Sequence, residues 1–196
     1  MTITYPLGDA LYLNITNECP CDCAFCIRRV SEGIVPGQSL WLDHEPSIEE
    51  IMAAFAEVNF EKYREIVFCG YGEPTSRLEI LVECAHFLKV NHNLPVRLNT
   101  NGLSDLINGK KTVPILAKVI DRVSISLNAA DPESYKILCE PVFGEQSYHA
   151  MLQFARESKE VIPEVVMSVV GHSIDDATLV KCQDLCRSLD IPLRIR

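Results

Sequence analysis

Four cysteines crowd into the segment Asn17-Glu18-Cys19-Pro20-Cys21-Asp22-Cys23-Ala24-Phe25-Cys26. Thiolates this close in sequence converge only when something holds them in a loop, and a metal centre is the usual reason. Taken as Cys19, Cys23 and Cys26, the spacing is C-x3-C-x2-C. Three thiolates on a four-iron cluster leave one iron open to a chelating cofactor, whereas an electron-transfer ferredoxin uses four cysteines for each cluster. The alternative is a structural zinc ion on Cys19, Cys21, Cys23 and Cys26. Zinc loops generally pair two short cysteine hairpins across a longer spacer, and one compressed knot suits them poorly. Cys21 is left out of the ligand set.

The elements that must carry this loop read as alternating strand and helix. Apolar, β-branched runs at Leu11 to Ile15, Ile66 to Phe68, Val96 to Leu98, Val123 to Leu127, Val165 to Val170 and Leu193 to Ile195 give six candidate strands. Most lack strict alternation, which predicts parallel strands buried on both faces. Ser47 and Glu50 form a capping box ahead of Ile48, Ile51, Met52 and Phe55 at helical spacing. Further helices are expected from Leu78 to Leu88, over residues 112 to 119, after Asp131-Pro132, around Tyr148 to Ala155, and from Asp175. Strand alternating with helix makes an α/β fold with right-handed crossovers and a parallel sheet, either a barrel arc or a doubly wound sheet. A single domain over residues 1–196 is expected.

Polar groups follow successive strands, at the carboxyl edge where parallel α/β folds bind ligands. After the second strand stands Cys69-Gly70-Tyr71-Gly72-Glu73-Pro74. Gly72 would let the backbone approach a ligand closely, and Glu73 would accept a hydrogen bond from a cationic amino group. Asn99-Thr100-Asn101-Gly102 follows the third strand and Ser126-Leu127-Asn128 ends the fourth, with Ser126 and Asn128 expected to alternate onto one face.

C-x3-C-x2-C with an aromatic residue, here Phe25, before the last cysteine resembles the signature of the radical S-adenosylmethionine (SAM) superfamily. The resemblance implies a partial (β/α)6 TIM-like barrel of six parallel strands, a [4Fe-4S] cluster on Cys19, Cys23 and Cys26, and SAM bound at the open iron. Reductive cleavage of SAM to a 5′-deoxyadenosyl radical is the chemistry it implies. Cys69 to Pro74 resembles the family's Gly-Gly-Glu-Pro element, with Tyr71 replacing the first of two adjacent glycines. Asn99 to Gly102 resembles the Thr-Asn-Gly element of glycyl-radical-enzyme activases, with Asn99 where those have Asp. Ser126 and Asn128 occupy the family's ribose- and carboxylate-binding region. The cofactor-binding residues so implied are Phe25, Gly70, Gly72, Glu73, Asn99, Asn101, Ser126 and Asn128. Tyr12 to Asn17, Cys26-Ile27-Arg28, Ser126 to Ala129 and Leu138 to Gly144 are similar to the TatD-associated radical SAM group.

The chain has 196 residues, 47% of them hydrophobic, and a formal net charge of −9, so extended nucleic acid is not an expected partner. With no export signal and no membrane-length apolar run, a soluble cytoplasmic protein is expected. Of the nine cysteines, Cys84, Cys182 and Cys186 read as core and Cys69 as a small strand-end residue. Cys139 is the thiol kept as a candidate for substrate chemistry. The other six cysteines do not group into a second cluster of three along the sequence, so one iron–sulfur cluster per chain is expected, reduced by a donor such as flavodoxin or ferredoxin. The residues end on the sixth strand, so an open lateral face is expected, completed by a peptide or protein substrate. The alternatives are an enzyme acting on a small metabolite or nucleotide, and a non-enzymatic iron–sulfur or metal-binding module. The loop from Arg28 to Pro46, with Trp41, reads as a lid or docking element, or as ordinary surface.

Overall fold

A computed structural model describes residues 1–30 and 39–196, so the middle of the Arg28 to Pro46 loop lies outside the described residues. The elements run β1 (Thr4–Leu7), β2 (Ala10–Leu13), α1 (Ile27–Val30), α2 (Ile48–Ala56), β3 (Glu65–Phe68), α3 (Leu78–His92), β4 (Val96–Thr100) and α4 (Ser104–Asn108). They continue with α5 (Val113–Leu116), β5 (Arg122–Ser126), α6 (Pro132–Cys139), α7 (Gln146–Val161), β6 (Glu164–Val169), α8 (Asp176–Leu189) and β7 (Leu193–Ile195). The strands form one sheet in chain order, parallel from β2 to β7, with β1 and β7 at its edges.

The expected α/β arc of six parallel strands is present, and a seventh strand is added to it. β1 pairs antiparallel with β2 through a turn at Gly8-Asp9, Gly8 having φ +64°. Pro6 obscures this strand in the sequence, because proline cannot donate to a ladder and belongs at an edge. At the edge is where it lies.

Local signals explain the helices. The Ser47 hydroxyl accepts from the Glu50 N–H while the Glu50 carboxylate accepts from the Ser47 N–H, closing the capping box of α2. Asp131 and Asp175 cap α6 and α8 through the N–H groups of Ser134 and Thr178. These caps fix where each helix leaves the strand before it.

One face of the sheet makes the core. Leu11, Leu13, Ile66, Phe68, Val96, Leu98, Val123, Ile125 and Met167 are buried against helix residues such as Leu81, Leu88, Met151 and Phe154. Each such side chain contributes about 1.5–3 kcal/mol through burial. The other face is richer in polar side chains, and the expectation of strands buried on both faces holds there for Val67, Ser124 and Ser168. Tyr12, Arg97, Asn99 and Ser126 on that face are partly exposed.

At the amino ends of the strands, Arg97 pairs with Glu65 at 2.9 Å, and Arg122 bridges Glu65 at 3.5 Å and Glu164 at 2.9 Å. Charge is thereby balanced at that end. The carboxyl end, with its loops, is left for chemistry. Among the described residues no helix is long and apolar enough to cross a membrane.

Candidate cluster and cofactor site

The cysteine loop leaves β2 between two sets of hydrogen bonds. On one side Asn14, fully buried, donates to the Leu40 carbonyl at 2.6 Å, and Asn17 exchanges hydrogen bonds with the backbone of Leu42. On the other side the loop is laced to the connection between α6 and α7. Asp22 N–H donates to the Cys139 carbonyl at 3.1 Å, Ala24 N–H to that of Leu138 at 3.0 Å, and Val142 N–H to that of Pro20 at 2.9 Å. Cys21 and Pro141 form an isolated antiparallel bridge between these segments. Glu140, with φ +43°, makes the left-handed turn that ends α6 and aims its last carbonyls at the loop.

This lacing sorts the thiols. Cys21 is buried, while Cys19, Cys23 and Cys26 keep intermediate exposure. Cys23 is held well below the ordinary thiol value, first by the Cys139 thiol and then by that of Cys21. Cys19 is lowered chiefly by its contact with Cys21. The Arg28 guanidinium donates from Nε to Cys26 Sγ at 3.2 Å. Both shifts favour the thiolate at Cys19 and Cys23, the form that binds iron. Among the described residues no three His, Cys, Asp or Glu side chains gather around a single-ion position. Three cysteine thiols from one loop are the donor chemistry that a four-iron cluster takes while one iron stays open. Phe25 is half-buried and packs against the core.

The glycines after β3 answer to packing as well as to any ligand. Gly72 N–H donates to the Thr16 carbonyl at 3.0 Å, and Glu73 N–H to that of Glu18 at 2.7 Å, so this loop lies directly on the exit of β2. A Cβ on Gly72 would sit 2.6 Å from the Glu18 carbonyl oxygen, and one on Gly70 would overlap the Asn14 side chain.

Glu73 is 3% exposed and its carboxylate is already in use. Oε1 accepts from Thr75 N–H at 3.1 Å, Thr75 Oγ1 at 2.8 Å and Thr100 Oγ1 at 2.7 Å, and Oε2 accepts from Asn101 N–H at 2.7 Å. The carboxylate expected to meet a cationic amino group is therefore a hub joining the loops after β3 and β4. Thr100 and Thr75 are partners that sequence reasoning missed. Thr100 sits inside the Thr-Asn-Gly element, where its hydroxyl was the available signal.

Asn101 donates to Cys21 Sγ at 3.8 Å, while the buried Asn99 Oδ1 has no partner among the described residues. Ser126 accepts from Arg196 at 3.2 Å. Ser126 and Asn128 do not share a face as strand alternation predicts. Asn128 lies beyond β5 with φ +58°, so its side chain turns to Cys139 Sγ, 3.8 Å away, and leaves a buried Oδ1 without a partner among the described residues. Cys139 is fully buried, with its carbonyl 3.8 Å from Cys23 Sγ. A cleft of about 530 Å³ reaches Cys19 between Asn17, Arg28, Ile107 and Phe143.

An open, mostly parallel α/β arc with a three-thiol loop after its first parallel strand and polar groups after the next three defines a class of cofactor-dependent barrel enzymes. The family model for the Radical SAM superfamily matches residues 13–186, and the chain belongs to that superfamily, enzymes that use a [4Fe-4S] cluster and SAM. Among curated relatives, a probable GTP 3′,8-cyclase of Thermococcus kodakarensis is 26% identical over 159 residues, covering 81% of this chain and 46% of that protein. The Pyrococcus horikoshii probable GTP 3′,8-cyclase is 31% identical over 128 residues, covering 65% and 37%. A dual-specificity RNA methyltransferase RlmN of Campylobacter hominis is 27% identical over 184 residues, covering 83% and 47%. The chain thus spans less than half the length of these relatives. Among solved structures, Streptococcus suis SuiB bound to precursor peptide SuiA superimposes with a TM-score of 0.71 at 16% identity, covering 98% of this chain and 40% of that one. SuiB bound to S-adenosylmethionine gives 0.66 at 17%, covering 94% and 37%. These show the shared fold.

Proposed function

We propose that residues 1–196 form a radical SAM catalytic core in which Cys19, Cys23 and Cys26 hold the cluster and SAM binds beside it. The observation that carries this is the sorting of one loop: three thiols half-exposed, with Cys21 turned inward under the Cys21–Pro141 bridge. When bound, the cluster and SAM supply reductive cleavage of the sulfonium and a 5′-deoxyadenosyl radical that takes a hydrogen atom from substrate.

The chain's own residues do the holding. Gly70 and Gly72 let the loop after β3 lie against the cysteine loop, and Phe25 walls the cluster side. Asn99 Oδ1 and Asn128 Oδ1, without partners among the described residues, offer acceptors to the polar groups of SAM together with Ser126 and Asn101. Glu73 acts through the two loops that it ties. Cys139 supports Cys23 from below, because full burial keeps it from substrate. A flavodoxin or ferredoxin in a reducing, cytoplasmic compartment supplies electrons.

For substrate, a small nucleotide is better supported than a peptide. The relatives are named for GTP and RNA, and Arg196 brings a guanidinium to Ser126 at the carboxyl end of β5. Electron paramagnetic resonance of reduced, reconstituted protein tests the site: SAM should alter the cluster signal, and an unchanged signal opposes an open iron. Faster 5′-deoxyadenosine release with GTP or another nucleotide, lost in Arg196→Gln, supports the nucleotide reading. Stimulation by peptides alone supports the other.

A further inference from the structure

Arg28 stands in the Cys26-Ile27-Arg28 segment with no role given to it above, yet it wraps the cysteine loop. Besides its bond to Cys26 Sγ, it donates to the Cys21 carbonyl at 3.1 Å. Its guanidinium carbon lies 5.9 Å from the centre of the Trp41 ring. Trp41 meets the Tyr71 ring edge-on at 5.1 Å. Tyr71 is 6% exposed and packs with Tyr5 and Leu40 in a small apolar cluster of its own. A chain of contacts therefore runs from the cofactor loop after β3, through Tyr71 and Trp41, to the sulfur of Cys26. Tyr71, the residue standing where the family element has glycine, is its anchor. The neighbouring Arg29 is engaged elsewhere, paired with Asp22.

We propose that Arg28 is a positioning residue for the iron–sulfur cluster, held on the Trp41–Tyr71 platform so that its Nε–H and positive charge sit on the Cys26 sulfur and ease reduction. Hydrogen bonds to ligand sulfurs and local charge are among the levers that set cluster potentials. A cation–π contact restrains the guanidinium, and a lysine at this position would keep the charge but lose the planar fork that reaches both Cys26 and Cys21. The proposal rests on the cysteine assignment above.

The test is a redox titration of anaerobically reconstituted protein followed by electron paramagnetic resonance, with iron measured in parallel. Arg28→Gln should lower the midpoint potential, Arg28→Lys should fall between it and wild type, and Trp41→Ala, which keeps the arginine and removes its platform, should give a smaller drop with iron unchanged. Equal potentials in all four proteins would overturn the proposal. So would loss of iron from both Arg28 variants with an unaltered potential in Trp41→Ala, which would make Arg28 a brace of the loop only. Wild-type protein that takes up no cluster would instead defeat the cysteine assignment.

Discussion

The Thr100 hydroxyl donates to Glu73 Oε1 across 2.7 Å, joining the loop that follows β3 to the loop that follows β4. Both residues are at most 3% exposed, so neither group can exchange this partner for water. Thr100→Val keeps the shape and removes the donor. The expected loss is about 1–3 kcal/mol, the cost of a weakened buried carboxylate. A lowered urea midpoint of the apoprotein checks it, and an unchanged midpoint opposes the hub.

Burial pushes the Glu73 carboxyl above the ordinary carboxylate range, against the pull of Asn101, Thr100 and Thr75. An acid whose value is raised on folding binds its proton more tightly in the folded state. Its contribution is therefore full below the unfolded value and is lost as pH rises through the folded one. The apoprotein should lose stability over that window more steeply than Glu73→Gln does. Parallel pH profiles of the two proteins would contradict this.

Gly72 has backbone oxygens on its missing side chain's path, and backbone cannot rotate away. Gly72→Ala should cost about 1–3 kcal/mol through overpacking and weaken SAM binding, because the loop must move off Thr16 and Glu18. Denaturant melts with equilibrium SAM binding check both halves.

Cys21→Ser should leave iron per chain at the wild-type level after anaerobic reconstitution, since Cys21 is buried against Pro141. Cys19→Ser, Cys23→Ser and Cys26→Ser should each lose iron. A Cys21→Ser protein that loses iron as readily as these three would place Cys21 in the ligand set.

Much of this was legible in local sequence because local physics decides it. The capping box at Ser47, the caps at Asp131 and Asp175 and the cysteine spacing are all interactions between near neighbours. What escaped depends on distance or on unusual backbone. The Gly8-Asp9 turn was a visible hairpin signal, masked by Pro6. Asn128 leaves the strand through a left-handed residue, and no alternation rule carries past such a point. The bridge from Cys21 to Pro141 pairs segments more than a hundred residues apart, as does the approach of Cys139 to Cys23. Burial of Cys84, Cys182 and Cys186 agrees with their reading as core.

The most direct measurement is 5′-deoxyadenosine released when anaerobically reconstituted protein is incubated with reductant and SAM. Wild type should release it, and a Cys19→Ala, Cys23→Ala, Cys26→Ala triple variant should release none. No product from wild type carrying its cluster, or equal product from the triple variant, would contradict the proposed chemistry.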